Sequence, residues 1–213
     1  MKTDELVALL ATGAGAVEPD ATARRYATAL SWGAFGATLL MAILLGVRSD
    51  IDAAARLPMF WIKLAFPASM VIGGLFAASR LSRPGVRLGR MPIALVAPAL
   101  AIWLFAAFEL LSATRPEREQ LIFGSTWESC PLSIAMLSVP AFVAVLWAMK
   151  GLAPTRLALA GAAAGLLAGA GGALVYALYC PEMAAPFIGI WYLLGMLIPA
   201  AVGAMLGPRL LRW

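Results

Sequence analysis

"LALAGAAAGLLAGAGGALVYALY", residues 157–179, carries no charged residue and no proline. An uninterrupted apolar run of more than about 18 residues has the length of a helix that crosses the hydrocarbon of a bilayer. A membrane strand would alternate polar and apolar residues, whereas this run is continuously apolar and rich in Ala and Leu. Gly161, Gly165 and Gly169 recur at a spacing of four, which makes a stripe of small residues. Such a stripe lets two helices approach closely, and packing inside one bundle is its expected use, ahead of dimerisation.

Five further runs of this kind, residues 28–47, 61–79, 92–112, 132–149 and 187–206, share the chain with it. The composition agrees: 62% of residues are hydrophobic and 13% charged, with a mean hydropathy of +0.89. Soluble chains run near 45–50% apolar and about 25% charged. The expected fold is an all-α membrane protein with six transmembrane helices in one bundle. Residues 1–27 form a soluble segment, and 28–213 the transmembrane domain. The first run is longer than the roughly 7–15 apolar residues of a signal peptide, so cleavage is not expected, although "DAAAR" (52–56) mimics a cleavage site. Pro67, Pro98, Pro140 and Pro199 fall inside helices and are read as shape.

A net charge of +5 invites a nucleic-acid reading, but the cations are spread through the loops and follow topology instead. Lys2, Arg24, Arg25, Arg80, Arg83, Arg87, Arg90, Lys150, Arg156, Arg209 and Arg212 fall on one side, eleven in all. Only Arg48, Arg56, Arg115 and Arg118 fall on the other. This bias predicts both termini in the cytoplasm, with no direct nucleic-acid contact.

Two cysteines occur, Cys130 in "TWESCPLS" and Cys180 in "LYCPEM". On this topology both lie at the outer boundary, Cys130 just before the fourth helix and Cys180 just after the fifth. In a bacterium that is the periplasmic side, where disulfides persist. Proline beside each suits a helix end. Two readings stand: a structural role, as a plain disulfide or as two unrelated small apolar residues, or a redox- or metal-responsive pair. With no histidine, a zinc site would need Glu128, Glu182 or water to complete it, and thiolates favour soft metals. A catalytic dithiol would more often show a C-x-x-C spacing, which is absent. No catalytic triad, phosphate loop or cofactor motif is present, so neither an enzyme nor a cofactor is expected.

Lys63 in "FWIKLAF" and Glu109 in "AAFELL" are charges inside predicted spans, at similar depth near the outer face. Intramembrane charges usually pair or face a cavity, so a Lys63–Glu109 ion pair is expected; the alternative is that each snorkels to the interface. Trp61 and Trp127 are read as interfacial anchors. At the N-terminus, Thr3 suits a cap and Asp4 and Glu5 a first helical turn. Leu6, Leu9 and Leu10 then share a face beside Val7, and Gly13 and Gly15 stop the helix before a linker with Pro19. A helix this short is marginal alone and is expected to fold into a partner's groove; the alternative is rest on the membrane surface.

Taken in order, "KTDELVALLA", "MFWIKLAF", "GSTWESCP", "APTRLALAGAAAGLLAGAGGALVYALYCPE" and "LGPRLLRW" resemble the NrsF-type membrane anti-sigma factors over essentially the whole chain. The resemblance implies a six-helix protein of the bacterial inner membrane that holds an extracytoplasmic-function sigma factor of the sigma-F type inactive. It implies that the cysteines matching Cys130 and Cys180 are needed for a response to oxidative or heavy-metal stress. It places the sigma contact on Asp4, Glu5, Leu6, Leu9 and Leu10. Two other functions remain: a membrane thiol-disulfide oxidoreductase using the same cysteines, weakened by the missing C-x-x-C pair, and a small-solute transporter, weakened by the lack of an internal repeat. The metal, the inducing signal and the oligomeric state stay open.

Overall fold

The computed structural model describes residues 3–12, 20–85, 89 and 91–212. Lys2, Arg87 and Arg90 of the charge bias, the stop at Gly13 and Gly15, and Pro19 lie outside the described residues. Those described form α1 (Thr3–Thr12), α2 (Ala21–Leu44), α3 (Ile51–Ala54), α4 (Pro58–Leu81), α5 (Met91–Ser112), α6 (Arg115–Phe123), α7 (Cys130–Lys150), α8 (Leu157–Tyr176) and α9 (Ala185–Leu210), with no strand among them. α9 contains one π-helical turn, Ile188–Tyr192. Six of these, α2, α4, α5, α7, α8 and α9, are long and apolar enough to cross a membrane. They match the six apolar runs. The helices extend past the runs at several ends, since hydropathy marks the apolar stretch and not where the backbone stops being helical. α2 begins at Ala21 and takes in Arg24 and Arg25. All four interior prolines lie inside helices, as expected.

α8 is the axis of the bundle. Its apolar stretch is 67% buried, against 11% for α5. α8 packs on α9, α7 and α4, while α2 packs on α7 and α5 leans on α4 and the start of α9. The glycine stripe explains α8's central place. A Cβ at Gly161 would run into the Gly203 carbonyl, and one at Gly165 into the Pro199 carbonyl. From the facing side, a Cβ at Gly203 would strike the Gly161 carbonyl and one at Gly207 the Leu157 carbonyl. The two helices thus meet backbone to backbone, inside one chain.

The core divides into two clusters at opposite ends of the bundle. One gathers Phe66, Met70, Cys130, Ile134, Tyr176, Cys180, Phe187, Tyr192 and Met196 with their neighbours. The other gathers Tyr26, Ala77, Ala78, Leu81, Val145, Met149, Ala164, Leu167 and Leu211. α2, α4, α7 and α8 run through both.

Candidate functional site

α8 ends at Tyr176 and α9 begins at Ala185, so the chain between them must satisfy its own backbone groups. Charged side chains do much of this. Lys63, fully buried on α4, donates from Nζ to the Cys180 carbonyl at 2.6 Å and to the Glu182 carbonyl at 2.8 Å. Arg48, beyond the end of α2, donates from Nη1 to the same Cys180 carbonyl at 3.3 Å. Glu109 Oε2, on α5, accepts from the Ala185 amide at 3.0 Å. Two cations therefore sit past the C-terminus of α8, and one carboxylate sits at the first amide of α9. Both placements suit the helix dipoles.

This corrects the expected Lys63–Glu109 ion pair. Among the described residues no such pair forms. The two charges are at the same end of the bundle, as read, but each ends on the backbone of segment 180–185. The reason is the stronger need there: buried carbonyls and a first-turn amide lack backbone partners, and a charged donor or acceptor makes the stronger hydrogen bond.

The Glu182 carboxylate reaches the other way. It accepts from the Ser125 amide at 2.8 Å and from Ser125 Oγ at 2.7 Å. That ties segment 180–185 to the turn before α7, where Gly124 adopts φ 54° against the same carboxylate.

The cysteines lie beneath this network. Cys130 opens α7, with Pro131 in its first turn, and Cys180 follows α8 by one turn. Both are free thiols, and both are fully buried in one cluster rather than lying open at a boundary. Tyr176 Oη and Tyr192 Oη are buried with no nitrogen or oxygen partner. The Cys130 thiol lies against the first and the Cys180 thiol against the second, and sulfur is only a weak partner. Lys63 Nζ stands 5.7 Å from the centre of the Tyr192 ring. The structure thus brings together Cys130, Cys180 and Lys63, with Glu109 of α5 bound to the Ala185 amide of the same segment, and adds Arg48, Glu182, Tyr176 and Tyr192. Among the described residues no three of His, Cys, Asp and Glu gather into a metal-holding group.

Above the site, Arg48 also binds Asp50, at 2.7 Å from Nε and 2.6 Å from Nη2. That hydrogen bond holds the Asp50 carboxyl below its ordinary pKa and raises that of Arg48. Sequence reading missed α6 at this end. Its signal was present: Thr114 and Glu117 form a capping box, the amide and hydroxyl of Thr114 both donating to Glu117 Oε2 at 2.8 and 2.7 Å. Trp127, read as an anchor, packs edge-on to Phe123 at 5.5 Å and tilted against Trp191 at 5.3 Å, ring centre to ring centre.

Asp4, Glu5, Leu6, Leu9 and Leu10 take no part in this cluster. They lie on α1, none of whose residues is buried, and Leu9 and Leu10 are 68% and 67% exposed.

The profile of the family described as NrsF, negative regulator of sigma F, matches residues 10–213. The chain is 61% identical over 213 residues to a "Probable anti-sigma-F factor NrsF" of Azospira oryzae. It is 38% identical over 218 aligned residues to the "Anti-sigma-F factor NrsF" of Caulobacter vibrioides. Both alignments cover 100% of each chain. No solved structure matches it.

Proposed function

The chain belongs to the NrsF family of negative regulators of sigma F, and from that premise we propose that it is an anti-sigma factor of the bacterial inner membrane, with both termini cytoplasmic. Residues 1–27 hold an extracytoplasmic-function sigma factor through Asp4, Glu5, Leu6, Leu9 and Leu10 on α1. The six-helix domain senses periplasmic oxidative or heavy-metal stress through Cys130 and Cys180 and lets the sigma factor go. The observation that carries the sensing half is the pair of free thiols buried in one core cluster, beside a segment held by charged side chains. The holding half is supported by the unpartnered leucine face of α1. An exposed apolar face on a helix of three turns is what a groove-binding ligand presents.

The experiment is co-purification of the full chain with its candidate sigma factor from membranes. Replacing Leu6, Leu9 and Leu10 by Lys should abolish capture, since each buried leucine contributes roughly 1.5–3 kcal/mol. Undiminished capture by a variant present at wild-type levels would place the contact elsewhere.

A further inference from the structure

A sensor needs a route from its thiols to α1, and the buried polar groups mark one. Besides the hydroxyls of Tyr26, Tyr176 and Tyr192, three polar or charged side chains are buried among the described residues: Lys63, Ser82 and Ser138. Two of them belong to α4, at opposite ends. Lys63 clamps the carbonyls of Cys180 and Glu182. Ser82, the residue closing α4, donates from Oγ to the Ala78 carbonyl at 2.7 Å. Its one proton is thereby used, so Tyr26 Oη is the donor in the 2.6 Å contact between the two hydroxyls. Tyr26 lies in the opening turns of α2, and α1 precedes α2 in the chain.

We propose that α4 is the rod that couples the cysteine site to the start of α2, with Lys63 and the Ser82–Tyr26 hydrogen bond as its two attachments. This rests on the proposed reading of Cys130 and Cys180 as a sensor and of α1 as the sigma contact. α2, α7 and α8 also run the length of the bundle, but each carries a buried polar group at one place only, whereas those of α4 stand at both ends. From Lys63 to Ser82 the helix rises about 28 Å at 1.5 Å per residue. Its faces at Gly73 and Gly74 carry no side chain. A Cβ there would come within 2.8 Å of the Ala94 carbonyl and 3.1 Å of Leu167 Cα. At these two positions α4 meets its neighbours closely without a side chain of its own, between the buried side chains of Phe66 and Met70 and that of Leu81. A chemical change at Cys180 that displaces its carbonyl pulls on Lys63, because a buried ammonium cannot give up its acceptors cheaply. α4 carries that displacement to Ser82 and so to Tyr26. The same turn of α2 is held on its other side, where the Arg25 guanidinium lies over Gly151 at the end of α7. A shift of Ser82 against that fixed contact loosens the turn.

The test is amide hydrogen exchange on the full chain in lipid nanodiscs, read over residues 24–30 and over 178–187. Lys63→Met should raise exchange at 24–30 about tenfold, the equivalent of 1.4 kcal/mol, although the substituted residue lies at the far end. Tyr26→Phe should raise it similarly, and the double variant should show no more than either alone, because the two act on one connection. Ser138→Ala, at the third of those buried side chains, should leave 24–30 unchanged. If Lys63→Met fails to accumulate, Lys63→Gln retains a donor and gives a smaller shift of the same sign. A Lys63 variant that alters only 178–187, or effects that add as independent sites, overturns the proposal. The sensor reading fails separately, if blocking both cysteines leaves sigma binding unchanged; the exchange result then still decides whether α4 links the two ends.

Discussion

The two ends of the bundle are built on different chemistry. At the cysteine end, Arg48, Lys63 and Glu109 come from three separate parts of the chain and all terminate on the backbone of one segment, 180–185. At the Tyr26 end, small and aliphatic side chains fill the core, and one hydroxyl pair is the buried polar link between helices. Aliphatic packing weakens gradually as groups shift, because each contact is small. A buried charge on two carbonyls does not: it is satisfied or it is costly. The cysteine end therefore has the steeper response to a local change, and the Tyr26 end the shallower one. A protein that must convert a covalent event into a mechanical one gains from that order.

The largest expected effect is common to both ends. Gly165→Leu drives a side chain into the Pro199 carbonyl on the axis helix. Overpacking of ordinary cores costs about 1–3 kcal/mol, and here the obstacle is backbone, so little folded protein should survive detergent extraction and size-exclusion chromatography. Normal recovery would show that α8 and α9 can separate without loss.

The next comparison sets the ends against each other. Lys63→Met removes both donor contacts to segment 180–182, where hydrogen bonds to a charged group contribute about 1.5–3 kcal/mol each. Ser82→Ala removes two neutral contacts, to Tyr26 Oη and the Ala78 carbonyl, of about 0.5–1.5 kcal/mol each. Thermal unfolding in detergent should rank Lys63→Met well below Ser82→Ala, and only the former should open Cys180 to maleimide. Equal melting temperatures would erase the asymmetry. Glu109→Gln is milder, since the amide oxygen still accepts from Ala185 and only the charge at the helix start is lost, about 0.3–1 kcal/mol. Glu109→Ala should cost more than Glu109→Gln in the same assay.

The smallest effect concerns Asp50, which is exposed and acts by holding Arg48. Its pKa is lowered in the folded state, so its contribution is present above the unfolded carboxylate value, about 3.9. It is lost as the pH falls through the lower folded value. Melts of wild type and Asp50→Asn should differ slightly at pH 7 and converge in acid. A difference that grows on acidification would reverse this sign.

The sequence reveals most of the fold because hydropathy over twenty residues is a local property. All six long helices are legible that way, and so is the glycine stripe, whose spacing shows a close approach without naming the partner helix. The N-terminal helix is legible too, through its first-turn acids and leucine spacing. The site is only half legible. The cysteines stand out by scarcity, and Lys63 and Glu109 by being charged inside apolar runs. Their true partners do not stand out, since Lys63 and Cys180 are far apart in the chain and a carbonyl has no sequence signature. An expected pairing of opposite charges gave way to backbone groups left over where α8 stops and α9 starts. Tyr176 and Tyr192 read as ordinary core aromatics until the fold puts them against the thiols. α6 was available in Thr114 and Glu117, whose spacing marks a capped helix outside any apolar run.

The central claim is that Cys130 and Cys180 act as one unit whose state decides whether sigma factor is held. The most direct measurement follows sigma-dependent transcription in cells carrying wild type, Cys130→Ser, Cys180→Ser or the double variant, before and after oxidant or soft-metal exposure. Wild type should induce. The three variants should match one another in a single fixed output and not respond. Normal induction by the double variant would contradict the account and leave the two thiols as core-filling residues.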